Sequence, residues 1–457
     1  CGLGGILADD MGLGKTLQVL AAVLAARQRA TAGETAWRPV LVVAPTSVVP
    51  NWVSEAARFT PELTVRAVTA TRSRRRASLS EVAEGADIVV TSYSLLRLEG
   101  DAYAELGWSA MFLDEAQQVK NHRAKGYRAA RRVGSPLTFV VTGTPLENNL
   151  MELWSMLSLA APGLFPDPEI FSTDVRLPIE KGNLEVLGSL RRRIRPLMLR
   201  RTKDVVAADL PAKQEQTLTL ELSTAHRKAY DTRLARERQR VLGLLAALDD
   251  NRIEVLQALT ALRQLALAPA LGRPAHEPID PDDLRIGSVK VDTVAELVTE
   301  LAGEGHRALV FSQFTRFLDL IAERFDRSGV RHCRIDGSMS IGQRDRAVQS
   351  FRDGDADAFL ISLKAGGFGL NLTEADYVFV MDPWWNPAAE NQAIDRAHRI
   401  GQTRPVNVYR LIAGDTIEEK VAALQQRKRD LFARVIDADV AMADPHLTAD
   451  DIRELFS

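Results

Sequence analysis

Residues 9–16 read Asp-Asp-Met-Gly-Leu-Gly-Lys-Thr, and this stretch limits what the chain can be more tightly than any other. It follows the apolar run Gly5-Ile6-Leu7-Ala8 and opens a segment in which Leu17, Leu20, Ala21 and Leu24 recur at helical spacing, so it reads as strand, loop and helix. A phosphate-binding loop requires that context. Gly12 and Gly14, flanking Leu13, let the backbone wrap with its N–H groups turned inward. Lys15 can then reach the β- and γ-phosphates, and Thr16 can hold Mg²⁺ at the helix N-terminus. The usual first glycine is replaced by Asp9.

At 457 residues the chain is expected to hold two or three domains. Apolar residues make up 46%, enough for sizeable cores, and no uncharged apolar run approaches the roughly 20 residues that span a bilayer. No membrane partner is expected. The formal net charge is −2, so any nucleic-acid contact must come from local basic stripes. The only cysteines are Cys1 and Cys333, which excludes a disulfide framework and a multi-cysteine zinc site and fits a reducing cytoplasm. The first residue is Cys and the loop follows almost at once, so the sequence is expected to be a fragment of a longer chain.

Before residue 160, Val40–Ala44, Asp87–Thr91, Ala110–Asp114 and Thr138–Thr142 are continuous apolar runs of the kind that strands buried on both faces of a parallel sheet show. The pattern returns with Ala308–Ser312, His332–Asp336, Ala358–Ser362, Tyr377–Met381 and Val406–Arg410. The expected fold class is α/β, with two parallel-sheet domains. Between them, Leu184–Lys203 and Ser223–Leu267 lack strand runs and read as helices, and Pro-rich 268–281 reads as a connection. The boundaries expected are 1–160 and 286–435 for the two α/β domains, 161–285 for helical insertions and linker, and 436–457 for a tail packing on the core.

The third strand run ends in Asp114-Glu115-Ala116-Gln117. Beside a phosphate loop, Asp114 is placed to hold Mg²⁺ and Glu115 to polarise water. The next run ends in Thr142-Gly143-Thr144-Pro145, beside the same crevice or as a plain turn. In the second half, Gln392, Arg396 and Arg399 share a face if residues 392–402 are helical, either as a solvated basic surface or as guanidiniums facing a γ-phosphate. Lys364-Ala365-Gly366-Gly367-Phe368-Gly369 is a second glycine-rich loop without Gly-Lys-Thr.

Taken in order, Asp9–Thr16, Val40–Trp52, Asp114–Gln117, Thr142–Trp154, Ala308–Phe314, Ser362–Thr373 and Gln392–Gln402 resemble the helicase motifs of the Swi/Snf family of ATP-dependent DNA translocases, in helicase superfamily two. The resemblance covers nearly the whole chain. Asp382-Pro383-Trp384-Trp385-Asn386-Pro387 and Gln117, where many relatives have His, look most like the bacterial branch. The resemblance implies two RecA-like domains that use ATP and Mg²⁺, with double-stranded DNA as partner. It carries phosphate and metal roles onto Lys15 and Thr16, metal and water roles onto Asp114 and Glu115, and an arginine-finger role onto Arg399 with Arg396. Gly12, Leu13, Gly14, Gln117, Gly369 and Gln392 complete the expected nucleotide contacts. Pro45, Thr46, Ser47, Ser92, Thr144, Arg200, Lys364, Gly366 and Trp385 are the expected DNA contacts. Translocation on duplex DNA that remodels or displaces bound protein, RNA polymerase among the candidates, is the activity implied, in a bacterial cytoplasm at the nucleoid. The alternatives are a strand-separating helicase and a nucleotide-switched scaffold with little turnover. The family's adenine-recognising segment should lie upstream of the loop and is absent from this sequence.

Arg191, Arg192, Arg193, Arg195, Arg200, Arg201 and Lys203 put seven cations in thirteen residues without one acid. Arg191–Arg195 reads as a solvated face, and Arg200–Lys203 as either phosphate contact or interdomain pairing. Ile417–Val435 reads as an amphipathic helix packing back on the second domain.

Overall fold

The structure is a computed structural model that describes residues 3–33, 37–143, 150–207, 209–244, 248–273, 280–363, 370–384, 387–423 and 425–426. Within these residues the chain forms two compact units that divide between Asp209 and Leu210. The division falls inside the stretch 161–285 that the sequence assigns to helical insertions.

The first unit is built on a seven-stranded sheet: β1 (Gly5–Leu7), β2 (Val40–Ala44), β3 (Val65–Val68), β4 (Ile88–Ser92), β5 (Met111–Asp114), β6 (Thr138–Val141) and β7 (Met198–Leu199). Their order is β3-β4-β2-β5-β6-β1-β7, and every pair is parallel. β2, β4 and β5 are buried along their whole length, because helices cover both faces. The period-two alternation sorts their side chains. Val40, Val42, Ile88, Val90 and Phe112 meet Val19, Leu20 and Val23 of α1 (Lys15–Ala32) and Trp52 and Ala56 of α2 (Val49–Phe59). Leu41, Val43, Val89, Met111 and Leu113 face the other way, towards the helices Tyr93–Leu98, Lys125–Val133 and Leu150–Ala160. Gly4 admits no side chain at the entry to β1, since an added Cβ would lie 1.7 Å from Thr138 O.

The second unit holds a six-stranded, all-parallel sheet of order β10-β11-β9-β12-β13-β8, with β8 (Lys213–Leu220), β9 (Ala308–Ser312), β10 (His332–Ile335), β11 (Ala358–Ser362), β12 (Tyr377–Val380) and β13 (Val406–Ala413). Two apolar clusters cover its faces, one around Val310, Phe317, Ile321, Leu360 and Phe379, the other around Phe311, Phe351, Phe359, Val380 and Ile394. Four ionisable groups are sealed beneath the carboxyl ends of β9, β12 and β13. The Lys290 ammonium donates to Met381 O, Leu411 O and Glu418 Oε2, each at 2.6 Å. Arg263 stands 3.7 Å from Asp382, whose carboxylate accepts from Ser312 at 2.5 Å and from the Gln313 side chain at 2.6 Å.

Three strands fall outside the sequence reading. β3, with the pattern Val-Arg-Ala-Val, β7 and β8 are edge strands, partly exposed, and so lack the apolar run that marks a central strand. β7 lies inside Leu184–Lys203, which the sequence reads as wholly helical. A second correction concerns residues 392–402: the helix Pro387–Ile394 stops, and 395–401 run as turns. Arg396 and Arg399 therefore do not share a helical face with Gln392. Past Ile394, Arg396 O accepts from Leu372 N, and the Gln402 amide donates to Ala375 O and Ala397 O while its carbonyl accepts from Thr403 N and Arg404 N. These bonds take backbone groups that a continued helix would use. Residues 417–423 are helical, with Ile417, Glu418 and Val421 buried in the second unit. The remainder of Ile417–Val435 beyond 426 and the tail 436–457 lie outside the described residues.

Lys290→Met leaves the fully buried Glu418 without its partner and should lower the unfolding free energy by about 3–5 kcal/mol. Adding Glu418→Leu should recover much of that loss. Urea titration of the three proteins checks both; a single variant as stable as the wild type would show that the pair carries no weight.

Candidate functional site

Parallel pairing brings the ends of β1, β5 and β6 to one edge of the first sheet, and the phosphate loop, Asp114-Glu115 and Thr142-Gly143 all begin there. Gly12 and Gly14 adopt φ of 87° and 71°, a left-handed backbone that glycine takes without cost. Leu13 is buried between them. The Lys15 ammonium donates to Asp9 O at 2.7 Å and to Asp10 O at 3.1 Å, so its head lies within the curl of the loop. Thr16 follows in the first turn of α1, half-buried.

Asp114 is buried, and each of its oxygens has one donor. Oδ2 accepts from Trp52 Nε1 at 2.8 Å and Oδ1 from Glu115 N at 2.9 Å. The residue's own carbonyl accepts from Tyr93 Oη at 2.8 Å. Burial, and next the charge of Glu115, push the Asp114 carboxyl up to about 7, against the pull of Trp52 and Lys15. A cation beside such a pair favours its ionised form, so the chemistry of the carboxylates fits a divalent ion. Among the described residues no group of three or more His, Cys, Asp or Glu is arranged to hold a metal. Glu115 is half-buried with φ 47°, an uncommon conformation for a residue with a side chain. Its Oε2 accepts from Gln117 Nε2 at 2.9 Å, and Gln117 Oε1 is buried with no hydrogen-bond partner among the described residues. Gly143 approaches the loop from β6: a Cβ there would lie 2.6 Å from Met11 Cγ.

Of the expected DNA contacts in the first unit, Pro45, Thr46 and Ser47 form the turn after β2, with Thr46 exposed. Ser92 is buried, and its Oγ caps the helix Tyr93–Leu98 by accepting from Leu95 N at 3.2 Å. Arg200 is half-buried beyond the end of β7. In the second unit Gln392 is half-buried on the helix Pro387–Ile394 and Arg399 is half-buried in the following turns. Arg396 is 5% exposed and donates to Leu370 O at 3.4 Å. Thr144, Lys364, Gly366, Gly369 and Trp385 lie outside the described residues.

Three site residues escape sequence reasoning. Trp52 enters the sequence reading only as the end of the motif stretch Val40–Trp52, yet its indole N–H orients Asp114. Gln18 is not singled out by the sequence reading, yet its amide donates to Asp9 Oδ2 at 3.1 Å and Leu13 O at 3.0 Å. Arg201, read as a phosphate or interdomain contact, forms a salt bridge of 2.6 Å with Asp9. The signal available for this last pair was the acid standing in place of the loop's first glycine. A separate cavity of about 780 Å³ lies between α1 and the sheet, lined by apolar side chains such as Val19, Val23, Phe112, Phe139 and Leu197; Lys15, Asp114 and Glu115 do not border it.

The SNF2-related domain profile matches residues 1–271, and the helicase conserved C-terminal domain profile matches residues 289–401. The putative ATP-dependent helicase/translocase YwqA of Bacillus subtilis (strain 168) is 35% identical over 461 residues, an alignment covering 100% of this chain and 49% of that protein. The human SWI/SNF-related matrix-associated actin-dependent regulator of chromatin subfamily A member 1 is 34% identical over 443 residues, covering 95% of this chain and 42% of that protein. The chain thus spans about half the length, or less, of these curated relatives. A solved Sulfolobus solfataricus SWI2/SNF2 ATPase core in complex with dsDNA shares 31% identity, with 95% of this chain and 89% of that one covered and a TM-score of 0.45. The first profile alone takes in more than half of the residues, including the phosphate loop, Asp114-Glu115 and the Arg201 segment, and the chain belongs to the SNF2-related family of helicase-like ATPases.

Proposed function

We propose that the chain hydrolyses ATP with Mg²⁺ and couples turnover to movement along duplex DNA, remodelling or displacing bound protein without separating the strands. The observation that carries the chemical half is the convergence of Lys15 and the Asp114-Glu115 pair at one sheet edge, close enough that Lys15 lowers the proton affinity of Asp114. In this reading the inward N–H groups of residues 12–16 and the Lys15 ammonium bind the phosphates. Thr16 and Asp114 hold Mg²⁺, which supplies charge neutralisation at the phosphate oxygens. Trp52 fixes the rotamer of Asp114. Glu115, steadied by Gln117, orients the attacking water and receives its proton. Arg399 and Arg396 are assigned as the guanidiniums that offset charge building on the transferred phosphoryl group.

The movement half rests on family membership and on what the relatives are called, one a helicase/translocase and one a regulator of chromatin. Thr46 and Arg200 are assigned to the DNA backbone, with Pro45, Ser47 and Ser92 shaping the turns that present it. The same assignment extends to Thr144, Lys364, Gly366 and Trp385, and a nucleotide contact to Gln392 and Gly369. Phosphate contacts carry no base information, so affinity should be indifferent to sequence and should fall steeply with salt.

Glu115→Gln should leave nucleotide binding nearly intact while steady-state hydrolysis falls by roughly two decades or more, whereas Lys15→Ala should weaken nucleotide binding itself. Equal hydrolysis by Glu115→Gln and wild type would remove Glu115 from the water-orienting role. Arg399→Ala should keep ATP binding and lose on the order of 10³ in turnover, and Arg399→Lys should rescue it poorly because a point charge cannot reproduce the planar fork. The experiment that decides the reading compares the ATPase rate with duplex DNA, single-stranded DNA and RNA. Stimulation by duplex alone, with displacement of a triplex-forming strand and no unwinding, is expected. Unwinding of a forked duplex would make the chain a strand-separating helicase, and no stimulation by any nucleic acid would leave the nucleotide-switched scaffold.

A further inference from the structure

Asp9 stands where a phosphate loop usually has its first glycine, and its backbone lies outside the left-handed region, so the position places no demand for glycine. Its carboxylate is fully buried and both oxygens are held. Oδ1 accepts from Arg201 N at 2.9 Å and Arg201 Nε at 3.2 Å; Oδ2 accepts from Arg201 Nη2 at 2.6 Å, Arg201 Nε at 3.1 Å and Gln18 Nε2 at 3.1 Å. Arg201 Nη2 also donates to Gln18 Oε1 at 2.5 Å, and Gln18 returns to the loop through Leu13 O. The backbone reinforces the contact from both sides. Ala8 N donates to Leu199 O at 2.7 Å, Asp10 N to Arg201 O at 3.0 Å, and Lys203 N to Asp10 Oδ2 at 3.1 Å. Residues 199–203 thus run alongside 8–10, continuing the pairing of β7 with β1 past the end of both strands. Burial pushes the Asp9 carboxyl up, but the Arg201 and Gln18 hydrogen bonds more than offset it, and the group sits below its ordinary value.

The carbonyls that hold the Lys15 ammonium are those of Asp9 and Asp10, the two residues this segment grips. The segment 199–203 holds the backbone on both sides of Asp9, through Ala8 N and Asp10 N, as well as the Asp9 and Asp10 carboxylates, so the carbonyls that receive the Lys15 ammonium are placed by the same contacts that seat Arg201. We propose that Arg201 is a positioning residue for nucleotide binding: through Asp9 and Gln18 it holds the phosphate loop in the shape that receives the phosphates, in place of the loop's missing glycine. This rests on the reading of residues 9–16 as the nucleotide site. Arg201 touches neither Asp114 nor Glu115, and its effect falls on affinity and not on the chemical step.

The test uses the full chain and four variants: Arg201→Ala, Arg201→Lys, Asp9→Asn and the double Asp9→Asn/Arg201→Ala. Nucleotide affinity is read by titration with a fluorescent ATP analogue, and KM and kcat for ATP are read separately. Arg201→Ala should raise both the dissociation constant and KM by about 10–100-fold, the scale of a lost charge-assisted bidentate contact, with kcat at saturating ATP within about threefold of wild type. Arg201→Lys should recover part of the affinity, and the double variant should be little worse than Arg201→Ala, since both changes break one contact. Unchanged KM, a fall in kcat with KM unchanged, or additive effects of the two single changes would each overturn the proposal. If Arg201→Ala does not fold, Arg201→Lys and Asp9→Asn carry the same readouts. Lys15→Ala separates the two levels: binding undiminished by that change would sink the nucleotide-site reading itself, whereas a Lys15 effect with a silent Arg201 would sink only the positioning role.

Discussion

Parallel pairing is the constraint on which the rest depends. In a parallel sheet every strand points the same way, so segments that follow strands emerge along one edge however far apart they are in sequence. In the first unit that edge gathers residues 9–16, 45–47, 114–115 and 142–143, separated by more than one hundred positions of chain. The same edge in the second unit gathers Ser312, Gln313 and Asp382, with Arg263 and Lys290 rising beneath them from helices. A sheet of this kind must be covered on both faces, which is why its central strands carry continuous branched apolar runs and why few polar groups reach the interior except at that edge.

The polar groups that do reach it are tuned in opposite directions. Asp9 and Asp114 are both buried carboxylates of the first unit and both answer to Lys15, which donates to the backbone carbonyl of Asp9 and whose charge pulls on Asp114. Asp9 meets a guanidinium that satisfies both oxygens, and it is held as a fixed anion. Asp114 meets one indole, one amide and a second carboxylate, and burial with like charge pushes it up to about 7. One site is electrostatically complete, and the other is left wanting positive charge. That difference separates a carboxylate that builds the loop from one suited to a metal.

How much of this was legible depended on how each element is covered. β2, β4, β9 and β11 were readable nearly to the residue, because a strand sealed on both faces has no freedom to carry polar side chains. β7 and β8 were not, because an edge strand satisfies its backbone on one side only and its side chains stay partly in water. Lys15, Asp114 and Glu115 were legible because each follows a readable strand. Trp52, Gln18 and Arg201 act through long-range hydrogen bonds, and the Arg201 contact with Asp9 spans 192 positions. Local patterns carry no trace of such distances. The turns at 395–401 were misread as helix because Arg396 O and Ala397 O accept from Leu372 N and the Gln402 side chain, a competition that helical spacing cannot register.

β8 completes the second sheet only by pairing along its full length with β13, Lys213 against Val406 through Leu220 against Ala413. A ribosome that has made Leu220 has 193 more residues to add before it reaches Ala413, the difference between 413 and 220. At elongation rates of about 5–20 residues per second this takes roughly 10–40 s, during which β8 has emerged and its partner does not exist. An unpaired strand of that length invites pairing with other nascent chains. Its sequence, Lys-Gln-Glu-Gln-Thr-Leu-Thr-Leu, opens with four polar residues, two of them charged, and contains no aromatic residue. The weak strand signature that hid β8 from sequence reading is also what lets it wait in water for its partner.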